Sequence, residues 1–125
     1  MLMLPPSVKI YLATEPTDMR KGFDGLCALV KQSLGRDVFS GHLFVFVSRR
    51  RDRVKVLAWD RGGFVLYYKR LEKGRFQMPD VPEGQRTVIL EGTQLSMLLS
   101  GFDPNLERLR RWKPRESAID TGAKM

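Results

Sequence analysis

The chain has 125 residues, of which 42% are hydrophobic and 29% charged, and its 22 lysines and arginines against 14 acids give a net charge of +8. This length fits one globular domain that buries roughly two-thirds of its unfolded surface. The single cysteine, Cys27, excludes an internal disulfide and a cysteine-based zinc site and favours a reducing cytoplasm. With only His42 beside it, no His/Cys metal cluster is expected.

The beginning of the chain, Met1 to Leu4 followed by two prolines, predicts no signal peptide, because the apolar run is short and no basic residue precedes it. No stretch approaches the roughly eighteen apolar residues of a membrane span. We therefore expect a cytoplasmic protein with no membrane partner, associated with the nucleoid if its partner is DNA.

The first half of the chain predicts a strand, a long helix and a central strand. Alternating apolar residues indicate a strand from Val8 to Leu12, and the turn after it offers Thr17 or Asp18 as a helix N-cap. Apolar residues recur every three or four positions from Met19 to Leu34, which predicts an amphipathic helix. The apolar run Leu43 to Val47 predicts a central strand covered on both faces.

The second half predicts a β-meander, one more strand and a short helix. Turns at residues 48–52 and 60–63 separate strands at 54–59 and 64–69, a further strand is expected at 87–90, and Thr93 caps a helix over 94–99. The fold class is therefore α+β, a mostly antiparallel sheet with one long and one short helix packed on it. We assign residues 1–102 to a single domain and residues 103–125 to a basic, flexible tail.

Residues 49–75 hold ten lysines and arginines against three acids, a net +7 of the total +8. Such a concentration of positive charge predicts a polyanionic partner, nucleic acid first. The alternatives are a merely soluble turn and edge-strand charges that prevent aggregation. The predicted nucleic-acid-binding residues are Arg49, Arg50, Arg51, Arg53, Lys55, Lys69, Arg70, Lys73 and Arg75.

Aromatic and basic residues suggest further contacts. Trp59, Tyr67 and Tyr68 offer rings for stacking on unpaired bases, although this spacing is more typical of core or cross-strand pairs. A second set of residues is predicted to bind a protein partner. It comprises Arg20 and Lys21 before the helix and Arg110, Arg111 and Trp112 in the tail.

No catalytic or metal-binding residues are predicted. Two-metal phosphoryl transfer needs convergent carboxylates, and Asp18, Asp24, Asp60 and Glu72 lie in caps, turns or polar faces rather than at buried, apolar-flanked positions. Cys27 falls on the apolar helix face, where a structural thiol is expected. The sequence thus favours a binding protein without cofactors over an enzyme.

Five segments occur in a recognisable order: Asp18–Leu26, Phe39–Phe46, Arg53–Leu57 with Trp59–Asp60, Tyr68–Glu72 with Gly74–Phe76, and Leu95–Leu99. Over roughly residues 8–102 they resemble the small accessory protein TnpB of the insertion sequence 66 family of bacterial transposable elements, which is unrelated to the larger RNA-guided nuclease of the same name. The chain departs from the family at Arg49–Arg51, where relatives have a glycine in the turn, and after Phe102.

The resemblance implies a protein encoded beside a separate transposase, which carries the catalytic acids, and needed for efficient transposition. We therefore expect a non-enzymatic accessory factor that binds DNA, either at the element ends or as duplex without sequence preference. The alternative is an adaptor that docks on the element's transposase without contacting DNA. Both hypotheses are compatible with a homo-oligomer.

Overall fold

Five strands and two helices make up the part of the chain that the computed structural model describes, which is Pro5 and residues 7–101. In chain order they are β1 (Ile10–Ala13), α1 (Phe23–Gln32), β2 (Leu43–Val47), β3 (Arg53–Asp60), β4 (Gly63–Arg70), β5 (Thr87–Leu90) and α2 (Gly92–Ser100).

The strands form one sheet in the order β4-β3-β2-β1-β5. β1 and β2 run parallel, which requires a crossover, and α1 supplies it. The other neighbouring pairs are antiparallel, so the predicted α+β class with a mostly antiparallel sheet and a meander is confirmed. β2 lies at the centre and all five of its residues are buried, as its continuous apolar run predicts.

The two helices cover opposite faces of the sheet, because side chains alternate along each strand. Leu95 and Leu98 of α2 pack on the face that carries Leu12 and Val45. Leu26 and Val30 of α1 pack on the other face, against Phe44 and Phe46. The sheet is therefore the shared middle layer of two hydrophobic cores.

The helix boundaries differ from the predictions. α1 begins at Phe23 with Gly22 as its N-cap residue, while the Asp18 carboxylate binds the backbone N–H and guanidinium of Arg20 instead of capping a helix. Glycine disfavours helix, which is consistent with this late start. α1 has 10 residues and α2 has 9, so the contrast between a long and a short helix is not confirmed.

α2 is capped by Glu91 rather than Thr93. The Glu91 side chain accepts a hydrogen bond from the backbone N–H of Gln94, and the Gln94 Oε1 accepts one from the backbone N–H of Glu91 over 2.7 Å. This capping box satisfies backbone N–H groups that the helix itself leaves unpaired.

Both predicted hairpin turns are present. Between β3 and β4 the two turn residues Arg61 and Gly62 have φ of 47° and 90°, which is the arrangement that follows the right-handed twist of the strands. In the turn between β2 and β3, Arg51 has a φ of 62°. Both turns therefore place an arginine in the left-handed region that glycine adopts most easily.

Candidate nucleic-acid interface

The arginine-rich turn between β2 and β3 is a closed structure held by its own hydrogen bonds. The Ser48 backbone N–H donates to the Arg53 carbonyl over 2.9 Å, and the Arg51 N–H donates to the Ser48 carbonyl over 2.9 Å. The Ser48 hydroxyl lies 3.2 Å from the Asp52 carboxylate. The backbone is thus ordered while the side chains of Arg49, Arg50 and Arg51 extend into solvent.

A segment that follows β4, residues 71–76, lies against this turn. The Leu71 N–H donates to the Asp52 carbonyl over 2.8 Å, and the Phe76 N–H donates to the Arg51 carbonyl over 2.6 Å. Phe76 itself is buried in the core on the α2 side. These contacts bring the exposed Lys73 and Arg75 to the same end of the sheet as the turn.

A shallow groove of about 410 Å³ runs between the turn and the segment that precedes α1. Residues 17–20 line one side, and Arg49, Arg50 and Arg53 are among those on the other. Arg20, predicted to bind a protein, and three arginines predicted to bind nucleic acid thus belong to one surface. We call the surface formed by Arg20, Arg49, Arg50 and Arg53 the arginine groove.

Two ion pairs occur within the described residues, Arg20–Asp18 at 2.7 Å and Arg70–Glu72 at 3.2 Å. Arg49, Arg50 and Arg53 therefore have no carboxylate partner among those residues. Arg53 also lies directly opposite Arg70 in the β3–β4 register. Like charges opposite each other are unfavourable, and the Glu72 carboxylate paired with Arg70 offsets part of this repulsion.

The Asp18–Arg20 pair has an electrostatic consequence for the groove. Hydrogen bonds from the guanidinium and the backbone N–H of Arg20 lower the pKa of Asp18 well below its ordinary value, although both groups are at the surface. The same contact raises the pKa of Arg20. Asp18 is therefore ionised throughout the neutral range and balances one of the four arginine charges of the groove, and Asp52 is a second carboxylate that lines it.

Lys55 lies apart from this surface. Its side chain is only 7% exposed, and its Nζ donates to the carbonyls of Met19 and Lys21 over 2.9 and 2.8 Å while lying 4.6 Å from the centre of the Tyr68 ring. An ammonium satisfied in this way holds the segment before α1 on the sheet. The structure thus places Lys55, which is predicted to bind nucleic acid, in a buried position, held by hydrogen bonds within the protein itself.

Lys69 also lies apart from this surface. Side chains alternate along β4, so Lys69 lies on the α2 face of the sheet, opposite to the face of its neighbours Tyr68 and Arg70. Its Nζ donates to the carbonyl of Leu99 over 2.7 Å, near the C-terminal end of α2. A cation in this place meets the negative end of the helix. The predicted residues that remain exposed at the basic end of the sheet are Arg49, Arg50, Arg51, Arg53, Arg70, Lys73 and Arg75.

Comparison with protein families gives a match over residues 8–109 to the IS66 Orf2-like proteins, which covers most of the chain. The chain belongs to the IS66 Orf2-like family. It is therefore an accessory protein associated with an insertion sequence, as its sequence motifs predict. The match extends seven residues beyond the limit of residue 102 set by those motifs.

Two proteins from Sinorhizobium fredii are similar in sequence to this chain. Uncharacterized protein y4jC is 39% identical over 103 residues, which cover 81% of this chain and 86% of the relative. Uncharacterized protein y4hO is 41% identical over 103 residues, which cover 81% of this chain and 88% of the relative. No solved structure matches the IS66 Orf2-like chain.

The remaining predicted residues are placed as follows. Lys21 is exposed beside the arginine groove, and Arg110, Arg111 and Trp112 lie outside the described residues.

Across Pro5 and residues 7–101 there is no cluster of three or more His, Cys, Asp or Glu side chains suited to a metal ion. Burial, aided by the nearby Asp24, raises the pKa of the Cys27 thiol, which keeps it protonated at neutral pH. Within the same residues, no helix has the length and hydropathy to cross a membrane.

Two features of the site were missed by the sequence reasoning. The first is the Asp18-x-Arg20 spacing, which lets one carboxylate bind both the backbone and the side chain two residues later, whereas the sequence predicts Asp18 as a helix cap. The burial of Lys55 is the second feature, and its signal is the strand alternation that places Lys55 on the same face as Leu57, which is fully buried against α1.

Proposed function

We propose that this IS66 Orf2-like protein is a non-enzymatic accessory factor that binds the DNA of its insertion sequence through the basic end of the sheet. The observation that carries the proposal is the arginine groove, where three arginines without a carboxylate partner among the described residues converge from one turn and the start of β3. Guanidinium groups bind phosphates with directed hydrogen bonds, so this arrangement suits a DNA backbone.

The seven exposed cations of this end set the size of the proposed contact. If five to seven of them neutralise phosphates, the slope of log K against log salt is roughly −4.5 to −6. Lys55 and Lys69 are excluded from the contact because both ammonium groups are bound to backbone carbonyls.

The test is fluorescence anisotropy of the full-length protein with labelled duplex DNA at several salt concentrations. Replacing Arg49, Arg50 and Arg53 by alanine is expected to flatten the salt slope by roughly 2.7, which corresponds to three lost phosphate contacts. Duplexes with the element-end sequence and with a scrambled sequence are compared, because a preference for the former would show base reading in addition to phosphate contact.

A matched control separates local contact from net charge. Replacing Lys9, Lys31 and Arg61, which are exposed away from the groove, by alanine removes the same three charges from the net +8. This variant is expected to keep the wild-type salt slope. Equal slopes for the two triple variants would contradict a defined contact and indicate unspecific attraction by total charge.

A second candidate function is docking on the element's transposase. It is favoured by the Asp18–Arg20 pair, which is balanced in charge and whose arginine side chain is 90% exposed. Such a pair suits a protein surface of mixed charge better than a phosphate. Co-purification of the transposase that is lost when Arg20 and Lys21 are replaced by alanine, and that resists competition by DNA, would favour this function over the first.

A further inference from the structure

We propose that Tyr68 forms a stacking site for an unpaired nucleobase, so that the preferred ligand of the basic end is DNA with a single-stranded extension. This inference rests on the proposed DNA-binding function and specifies its ligand. The ring of Tyr68 is next to the Arg53–Arg70 pair, one step further along the same face of β3 and β4. A base stacked there would leave its phosphates within reach of those two guanidinium groups.

The position of Tyr68 leaves part of its ring accessible. β4 is an edge strand, and the residue is 49% exposed. The Lys55 ammonium comes from the neighbouring inner strand, β3, and lies 4.6 Å from the ring centroid. Lys55 thus occupies one side of the ring, and in the proposed site a base approaches Tyr68 from the open edge of the sheet.

The chemistry of the site suits a nucleobase better than an aliphatic group or an isolated anion. A base stacks on an aromatic side chain regardless of its identity, and this contact is combined with a basic groove in proteins that bind single strands. The Lys55 cation on one side withdraws electron density from the tyrosine ring, which favours stacking with an electron-rich base on the other.

Trp59 and Tyr67, the other two rings predicted for base stacking, lack this combination. Trp59 packs against Phe39 and Phe64, with centroid distances of 5.1 and 5.0 Å. This cluster lies at the far end of β3, beside the turn at Arg61 and away from the arginine groove. Tyr67 is 46% exposed but faces the α2 side of the sheet, opposite Val56.

Tyr67 provides a matched control because it is adjacent to Tyr68, about as exposed, and on the opposite face. The experiment measures the affinity of the full-length protein for a blunt duplex and for the same duplex with a short single-stranded extension. The wild-type protein is expected to prefer the extension about tenfold. Tyr68→Leu is expected to abolish this preference, while Tyr67→Leu and Tyr68→Phe retain it.

A second measurement covers the case in which Tyr68→Leu fails to fold without its contact to Lys55. A 2-aminopurine base placed in the extension is expected to lose fluorescence on binding to the wild-type protein and to Tyr67→Leu. Absence of this quenching, or a preference that survives in folded Tyr68→Leu, overturns the stacking site. If the wild-type protein binds the blunt duplex with the expected salt slope but shows no preference, the stacking site fails and the DNA-binding function stands. Binding to neither DNA overturns both.

Discussion

Arg20 enters the arginine groove with a charge that Asp18 already balances, at a distance of 2.7 Å. Asparagine at position 18 keeps an oxygen that can accept the hydrogen bond of the Arg20 backbone but removes the negative charge. We therefore expect Asp18→Asn to strengthen DNA binding roughly five- to tenfold at about 0.1 M salt and to steepen the salt slope by roughly 0.9, since Arg20 becomes available to a phosphate. Anisotropy titrations of the two proteins provide the measurement.

The pH dependence of this effect follows from the lowered pKa of Asp18. Because the folded value lies below the unfolded one, the contribution of the pair to stability is fully present above the unfolded pKa and is lost as the pH falls through the folded value. The ratio of the affinities of wild type and Asp18→Asn is therefore expected to be the same at pH 5.5 and 7.5. Weaker binding by the variant would show that the carboxylate is needed to shape the groove.

At the scale of single elements, the two hairpin turns allow backbone and charge effects to be separated. Arg51 and Arg61 both have positive φ, at opposite ends of β3. Glycine removes the strain of this conformation but gives the unfolded chain more freedom, so each arginine-to-glycine variant is expected to change the free energy of unfolding by about 1 kcal/mol or less.

Their effects on DNA binding are expected to differ. Arg51→Gly removes a proposed phosphate contact and should flatten the salt slope by roughly 0.9, whereas Arg61→Gly, at the far turn, should leave it unchanged. Urea denaturation gives the stability and anisotropy gives the slope. A slope that also changes in Arg61→Gly would place the far turn in the contact, contrary to the proposal.

The elements also indicate what the sequence can predict. The meander, the buried central strand and both turns were predictable because strand alternation, the apolar run Leu43–Val47 and glycine-containing turns are local signals. The start of α1 was not, since Asp18 has two possible uses, as a cap or as a partner of Arg20, and only the folded chain distinguishes them.

The candidate site was partly predictable for a related reason. A cluster of cations in the sequence locates the basic end, but which ammonium groups reach solvent depends on contacts across the fold. Lys55 binds carbonyls that lie 34 and 36 positions earlier in the chain, and Lys69 binds one that lies 30 positions later. Likewise, the segment at 71–76 reaches the turn through tertiary hydrogen bonds that no local pattern indicates.

At the scale of the whole molecule, the sheet couples two cores. Neighbouring residues of β1 serve different sides, since Leu12 packs with α2 and Tyr11 with α1. Disruption of either core therefore affects strands that the other core needs. We expect Leu26→Ala in α1 and Leu98→Ala in α2 each to lower the free energy of unfolding by about 2–5 kcal/mol, because both side chains are buried.

Urea denaturation followed by far-UV circular dichroism and by tryptophan fluorescence checks this coupling. Both variants are expected to unfold in one transition with coincident curves, as in a single cooperative domain. Met97→Ala is the control, since this neighbour of Leu98 is 74% exposed and should change stability by about 0.5 kcal/mol or less. Separate transitions in the Leu26→Ala protein would mean that the α2 side of the sheet stays folded when the α1 side unfolds. The basic end of the sheet contains residues from both sides, so it would then unfold in part while the α2 side stays folded.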